Sequence, residues 1–375
     1  MAETTDKTQS DTGFDPAALG ARETEFRGFW RDAWRRFRKR KLSMLGLCFV
    51  LLLALVAMLS PAIVGTKPVV CSYKGELRFP ALGYLIESWE DPIFIKDGVI
   101  NNYPKRLKEE DPDCWAIWPL VYQDPYRRVR DDEWPGRPGN PSGIDGPPSS
   151  INLLGTTSTG KDVFALMIHG TQIALLVGFV STGIAAAIGV VVGAIAGYFG
   201  GWIDMLLSRI MEVVMCVPTL ILILALVAIL EKPSIWQIMM VIGGTGWTRI
   251  ARLTRGEFLK LKQLEYVSAA KALGVGQWRI MFRHILPNAL APVMVPITFG
   301  IASAILVEST LSFLGLGAPP PNPSWGGVLN EGRSNLAMWW LVLFPGVAIF
   351  LTVLAYNLIG EGVQEATDPR LQAPT

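Results

Sequence analysis

Residues 249–288 read RIARLTRGEFLKLKQLEYVSAAKALGVGQWRIMFRHILPN, a polar and basic stretch flanked on both sides by apolar segments long enough to cross a bilayer. Such a stretch is a loop carried by a membrane frame. Glu257 to Leu273 has helix-forming composition, with small residues at Ser268, Ala269 and Ala270, and the glycines Gly274 and Gly276 suit a helix C-terminus. A second short helix is expected over Gln277 to Ile285, where apolar and basic residues alternate at helical spacing, with Pro287 as its stop. The expected form is two short helices with a bend between them.

Working outward, the chain has 375 residues, of which 50% are hydrophobic, and a mean hydropathy of +0.35. That is too apolar for an ordinary soluble protein and long enough for several spans. A net charge of +2 gives no argument for a nucleic-acid partner, and the four cysteines at 48, 71, 114 and 216 fit no zinc spacing. Residues 1–25 are polar, lack the apolar run of a signal peptide and read as a disordered cytosolic tail. In 26–41, Phe26, Phe29, Trp30, Ala33, Trp34 and Phe37 recur at three- and four-residue intervals among arginines, the pattern of an interfacial amphipathic helix.

Residues 42–64 form the first span, matching the ~20 apolar residues that a bilayer core requires. Eight Lys or Arg against the single acid Asp32 in 27–41 keep the N-terminus in the cytosol. Residues 65–161, rich in Pro, Gly, Trp and Tyr, then form an extracytoplasmic insertion. Five further spans are expected at about 168–198, 203–230, 235–252, 289–314 and 338–360, a core over 162–365, with the tail 366–375 returned to the cytosol. This topology puts the loop 249–288 inside, where its basic excess belongs. Glycines such as Gly178, Gly183, Gly189, Gly193 and Gly197 are read as close helix packing in lipid.

The loop resembles the cytoplasmic signature of bacterial ABC importer permeases, E-A-A, three residues, Gly, nine residues, I-x-L-P. It matches at Ala269, Ala270, Gly274, Leu286 and Pro287, and departs at Ser268, where the pattern has Glu, and His284, where it has Ile. LLGTTSTGKDV (153–163), GYFGGWIDMLLSR (197–209), LSFLGLGAPPPNPSWGGVL (311–329) and LFPGVAIFLTVLAYNLIGEGVQEATDPR (343–370) resemble the oligopeptide and dipeptide permease family, C-type subunit. KPVVCSYKGELRFPALGYL (67–85) is similar to the subgroup linked to microcin C and larger peptides.

The resemblance implies an all-α polytopic membrane protein with six transmembrane helices of the type I ABC importer permease kind and an external insertion between helices 1 and 2. It implies a peptide importer of the bacterial inner membrane working by alternating access, not an enzyme, with both termini cytosolic. Expected partners are a second homologous permease, two ATPase subunits carrying ATP and magnesium, an extracytoplasmic solute-binding protein, lipid and the peptide. No cofactor is expected in this chain. ATPase docking falls to Glu265, Ser268, Ala269, Ala270, Gly274, Gly276, Leu286 and Pro287.

Three features outside the loop carry chemistry. Glu308 is a carboxylate within a span, which is costly unless it faces protein or water; it either holds the outer loop by hydrogen bonding or contacts substrate as a gate. Glu212 beside Arg209 reads as a structural pair. Cys71 and Cys114 are the two cysteines of the insertion, and they either form a disulfide, stabilising the cap by up to ~4 kcal/mol, or serve as two small hydrophobes. Gly155 to Lys161, GTTSTGK, has the spacing of a phosphate-binding loop, but Asp162 follows where Ser or Thr would ligate magnesium, so it is read as a turn. His169 and His284 fall at opposite ends of the membrane, which argues against a hydrolase. A channel or receptor would share the spans but not the signature loop.

Overall fold

The computed structural model describes residues 29–85, 89, 107–109, 111–129, 146–149, 152–231, 233–317 and 322–367. The expected tail 1–25, Trp134 of the insertion and the chain end from 368 lie outside the described residues. Helices dominate. Among the described residues four are long and apolar enough to cross a membrane: α2 (Lys41–Ile63), α3 (Val163–Phe199), the run Gln277–Phe313, whose last part Leu286–Phe313 is α8, and α10 (Trp340–Thr367). A fifth is obtained if the bent pair α4 (Gly201–Cys216) and α5 (Thr219–Ile229) is one span.

The sequence predicts a single helix over 203–230, and the structure breaks it by 83°. Pro218 is the cause, because the residue before a proline is driven out of the α region; Val217 sits at φ −90, ψ 127. Helix α6 (Ile235–Leu261) has 27 residues, ample length for a span, but Gly243, Gly244, Thr245, Gly246, Thr248 and its arginines dilute its apolar character. Packing supplies what hydropathy lacks.

Glycines at four-residue spacing set that packing. A Cβ on Gly189 would lie 2.7 Å from the Trp247 carbonyl oxygen, one on Gly197 2.6 Å from Phe258 Cβ, and one on Gly193 would strike the Ala251 carbonyl. Gly243 of α6 answers with its own bare face, 2.6 Å from the Ser181 carbonyl. Positions rise together along both helices, so α3 and α6 run parallel, and the chain between them must return across the bundle through α4 and α5. Helix α8 runs antiparallel to α3, with Gly178 against Ile301 and Ile305 and Gly300 against Thr182. Gly46 of α2 meets Ala355 and Leu358, and Gly362 meets Ser43, which sets α2 and α10 antiparallel.

Helix α1 (Phe29–Lys39) buries Ala33 and Phe37 against Ala366 at the end of α10, and Arg40 forms ion pairs with Glu361 and Glu365 at 3.1 and 3.0 Å. The two ends of the described chain therefore meet at one end of the bundle. At the opposite end, Leu120 and Val121 donate their N–H groups to the Ala62 and Ile63 carbonyls, His169 Nε2 lies 2.8 Å from the Val64 carbonyl, and Trp340 Nε1 donates to the Thr156 carbonyl.

The described part of the insertion is a small antiparallel sheet, β1 (Val70–Tyr73), β2 (Glu76–Arg78) and β3 (Trp115–Ile117), in the order β2-β1-β3. Lys74 and Gly75, with φ 51 and 80, make the tight turn whose twist suits a hairpin. Thr66 and Tyr84 hydroxyls both donate to the buried Asp124 carboxylate and tie the sheet to the helix ends. Cys71 pairs in register with Ala116, and Cys71 and Cys114 lie in one apolar cluster with Tyr73 and Leu107, without an S–S bond between them.

Overpacking a close helix contact costs about 1–3 kcal/mol. Gly189→Leu should therefore lower the melting temperature of the detergent-purified protein measurably. Gly183→Leu, whose Cβ meets nothing within 4 Å, should leave it unchanged.

Candidate functional site

The loop is a helix pair, but not the one that composition suggests. Helix α6 stops at Leu261, and α7 (Glu265–Ala272) is a separate element after the break at 262–264, so the expected continuous helix from Glu257 to Leu273 is two pieces. Helix α7 ends in a Schellman motif, in which Val275 N–H donates to the Ala270 carbonyl and Gly274 N–H to the Lys271 carbonyl. Gly274 adopts φ +75, which glycine takes without strain. Gly276 then caps the turn Gln277–Arg279.

The expected stop at Pro287 does not occur. Residues 277–313 form one continuous helical run, in which Ile280–Ile285 are π-helical immediately before Leu286 and Pro287. Proline is tolerated in the first turn of an α-helix, and a π segment re-registers hydrogen bonds where a donor is missing. Pro287 thus shapes the entry into α8.

This loop is firmly anchored. Val267 is fully buried with Phe258, Ile280, Met281, Ile285 and Ala289 in one cluster, against which Ala270, Val275 and Leu286 pack. Lys262 Nζ donates to the Gly197 carbonyl at 2.8 Å, Arg255 Nη2 donates to Asp204 Oδ2 at 2.8 Å with a second bond from Nε to Oδ1, and the Lys271 ammonium lies over the Tyr198 ring. Arg209 pairs with Glu212 at 2.6 Å on the exposed side of α4.

Outward, the face of α7 presents Glu265, Ser268, Ala269, Ala272, Leu273, Gly274 and Gly276, all exposed. A Cβ on Gly274 or Gly276 would meet nothing within 4 Å. The structure therefore brings Glu265, Ser268, Ala269, Gly274 and Gly276 together, turns Ala270 and Leu286 inward, and leaves Pro287 exposed beyond the π segment. Sequence reasoning missed Leu273, 83% exposed, and the stacked pair Trp278 and Phe282. An apolar residue directly before the Schellman glycine on an otherwise polar face was the available signal.

Glu308 is buried at the far end of α8. The Ser312 hydroxyl donates to its Oε1 at 2.6 Å, and Ser324, which also interacts with the carboxylate, caps α9 (Trp325–Ser334) by accepting from Gly327 N–H. Trp325 donates through Nε1 to the Met167 carbonyl and seats α9 on α3. Ser312 and Ser324 line a cavity of about 570 Å³ with Lys161 and Glu331, and Glu308 lies behind them. Burial pushes the Glu331 carboxyl up, opposed by the Lys161 charge.

The Gly155-to-Lys161 run forms a turn with Gly155 and Gly160 at φ +81 and +78, and Asp162 caps α3 by accepting from Ala165 N–H at 2.8 Å. Burial pushes the Asp162 carboxyl up to about 7, with backbone hydrogen bonds opposing the shift. Its Oδ2 has no hydrogen-bond partner among the described residues.

Residues 189–373 match the family model described as binding-protein-dependent transport system inner membrane component, and residues 28–73 match that of the N-terminal transmembrane domain of oligopeptide transport permease C. The chain is 42% identical to a dipeptide transport system permease protein of Alkalihalophilus pseudofirmus, over 62% of this chain and 77% of the relative. It is 41% identical to a glutathione transport system permease protein of Pectobacterium atrosepticum, over 60% and 75%. A peptidoglycan transport system permease protein of Agrobacterium fabrum is 34% identical over 90% of this chain and 92% of its own length, so the match runs through most of the insertion. Among solved structures, a chain of the MetNI methionine ABC transporter in an inward-facing conformation matches 53% of this chain and 96% of its own length, at 18% identity and a TM-score of 0.42.

A carboxyl whose native pKa exceeds its unfolded value leaves the native state binding more protons between the two, so stability falls as pH rises across that window. Asp162 places the window between about 3.8 and about 7. Thermal melts should show stability declining through it, and Asp162→Asn, which preserves a cap acceptor, should flatten that part of the profile.

Proposed function

The chain belongs to the family of binding-protein-dependent transport permeases, and from that premise we propose that it forms part of the membrane path of an ATP-driven peptide importer. It is a peptide ABC-transporter permease subunit and a multi-pass membrane protein, not an enzyme. In this reading ATP and magnesium are held by two separate ATPase subunits, a second homologous permease completes the path, and a solute-binding protein delivers peptide from outside. Both termini and α7 lie in the cytosol, and 65–161 lies outside. ATP binding and hydrolysis drive alternating access through α7.

The observation that carries this reading is the outward face of α7. Gly276 has ordinary backbone angles and open space around it, so nothing among the described residues requires a glycine there. Small residues beside a rigid, anchored bend let another protein approach the backbone closely. The anchoring through Lys262, Arg255 and the Val267 cluster makes the bend able to transmit a push. Ala269→Arg, which changes an exposed position, should leave membrane insertion intact and reduce peptide-stimulated ATP hydrolysis of the reconstituted complex at least tenfold. Full stimulation in that variant would remove α7 from the docking role.

Glu308 belongs to this reading as the tie between α8 and α9 rather than as a substrate contact, because its partners are the hydroxyls of those two elements. Glu308→Gln keeps an acceptor for Ser312 and should retain peptide affinity and turnover within about twofold; a larger loss of either would make it a gate. In an oxidising compartment disulfides persist, and in this reading Cys71 and Cys114, which share one apolar cluster, close one there. Tryptic peptides of unreduced native protein should appear linked in mass spectra, and free alkylation of both cysteines would rule the bond out.

A further inference from the structure

We propose that the cavity where α3, α6 and α8 meet binds the main chain of the transported peptide, an inference that rests on the peptide reading above. The cavity has a volume of about 360 Å³, and Ser181, Thr182, Thr245, Thr248 and Ser303 line it, with Arg249 at its rim. Ser181 and Thr182 are only 1% and 4% exposed, and neither hydroxyl has a hydrogen-bond partner among the described residues. Buried polar groups are normally satisfied, so two adjacent unsatisfied hydroxyls facing one cavity mark a place where a ligand or water completes them. Thr245 donates to the Val241 and Ile242 carbonyls, which leaves its oxygen able to accept.

Glycine keeps the space open. A Cβ on Gly300 would stand 3.1 Å from Thr182 Cγ2, and Gly246 borders the same cavity. Pro296 is also in the wall.

The chemistry selects the ligand. Among the described residues no carboxylate or imidazole lines the cavity, so these give it no means of choosing a cationic side chain. Hydroxyls both donate and accept, and each peptide unit offers one N–H and one C=O. A hydroxyl-lined wall therefore reads the amide repeat common to all peptides. Arg249, exposed at one end, supplies the charge that a C-terminal carboxylate needs. Ile223, Ile242 and Val307 leave apolar wall for side chains of varied shape.

The test uses the assembled transporter in nanodiscs, with Thr182→Cys and Ser303→Cys made separately and labelling by a charged methanethiosulfonate reagent read site by site in mass spectra. Without nucleotide, both cysteines should label, and a tryptic digest of casein should slow labelling at least fivefold, whereas the same digest hydrolysed to free amino acids should not. Ser303 is exposed, so that variant keeps the test informative where Thr182→Cys fails to assemble. Failure of both to label would mean a closed, packed seam and overturn the proposal. Labelling that casein peptides do not slow, in a complex whose ATP hydrolysis they still stimulate, would leave a water-filled cleft only and overturn this inference alone. Absence of that stimulation in the unaltered complex would overturn the peptide reading and this inference with it.

Discussion

The contact between α3 and α6 is the constraint on which the rest depends. In a bilayer, apolar side chains gain nothing by leaving lipid for each other, so two helices stay together through close van der Waals approach. Gly189, Gly193 and Gly197 provide that approach on α3, and the carbonyl-bearing surface of α6 from Trp247 to Phe258 fits against them. Because the two helices are parallel and end together, the seam delivers the end of α6 to Gly197, where Lys262 takes a carbonyl and Arg255 reaches Asp204. The position of α7 is therefore a consequence of glycine spacing far from it.

Indole and imidazole groups do a similar service at the other end. Trp325, Trp340 and His169 each reach a backbone carbonyl of another element. These bonds satisfy polar groups at helix ends while fixing α9, the Gly155-to-Lys161 turn and the base of the small sheet on one platform. The buried carboxylates nearby, Asp162 and Glu308, are both acceptors for neighbouring groups of the frame. Burial and these bonds tie both acids into the frame.

Much of this was legible in the sequence. The long apolar helices, the basic loop, the glycine seam and the Gly274 terminus follow from hydropathy, charge asymmetry and the conformational freedom of glycine, which are local properties. The failures were also physical. Pro218 breaks its helix while Pro287 does not, because the first lies between two helices and the second follows a π turn that absorbs its missing donor; the residue type is the same in both. The gap between α6 and α7 carries no proline or glycine, so nothing in 262–264 announces it. Ala269 and Ala270 look alike in sequence, yet one faces out and the other packs inward, a distinction that only the tertiary cluster around Val267 makes. The hydroxyls of Ser181, Thr182 and Ser303 belong to distant segments and become a group only on folding.

The elbow at Val217 and Pro218 carries a solvation requirement. If α4 and α5 are one span, the 11-residue α5, ~16 Å long, covers about half the hydrocarbon thickness, and the junction with α4 falls inside the bilayer's depth. The last carbonyls of α4 have no partners within their own helix, and irregular backbone survives at that depth only where protein or a wet cleft receives it. Val214, Met215, Thr219 and Leu220, the residues on either side of the elbow, border the 360 Å³ cavity. A span built in this way needs protein or a polar cleft to receive its elbow, and the wall of that cavity is where this chain offers one.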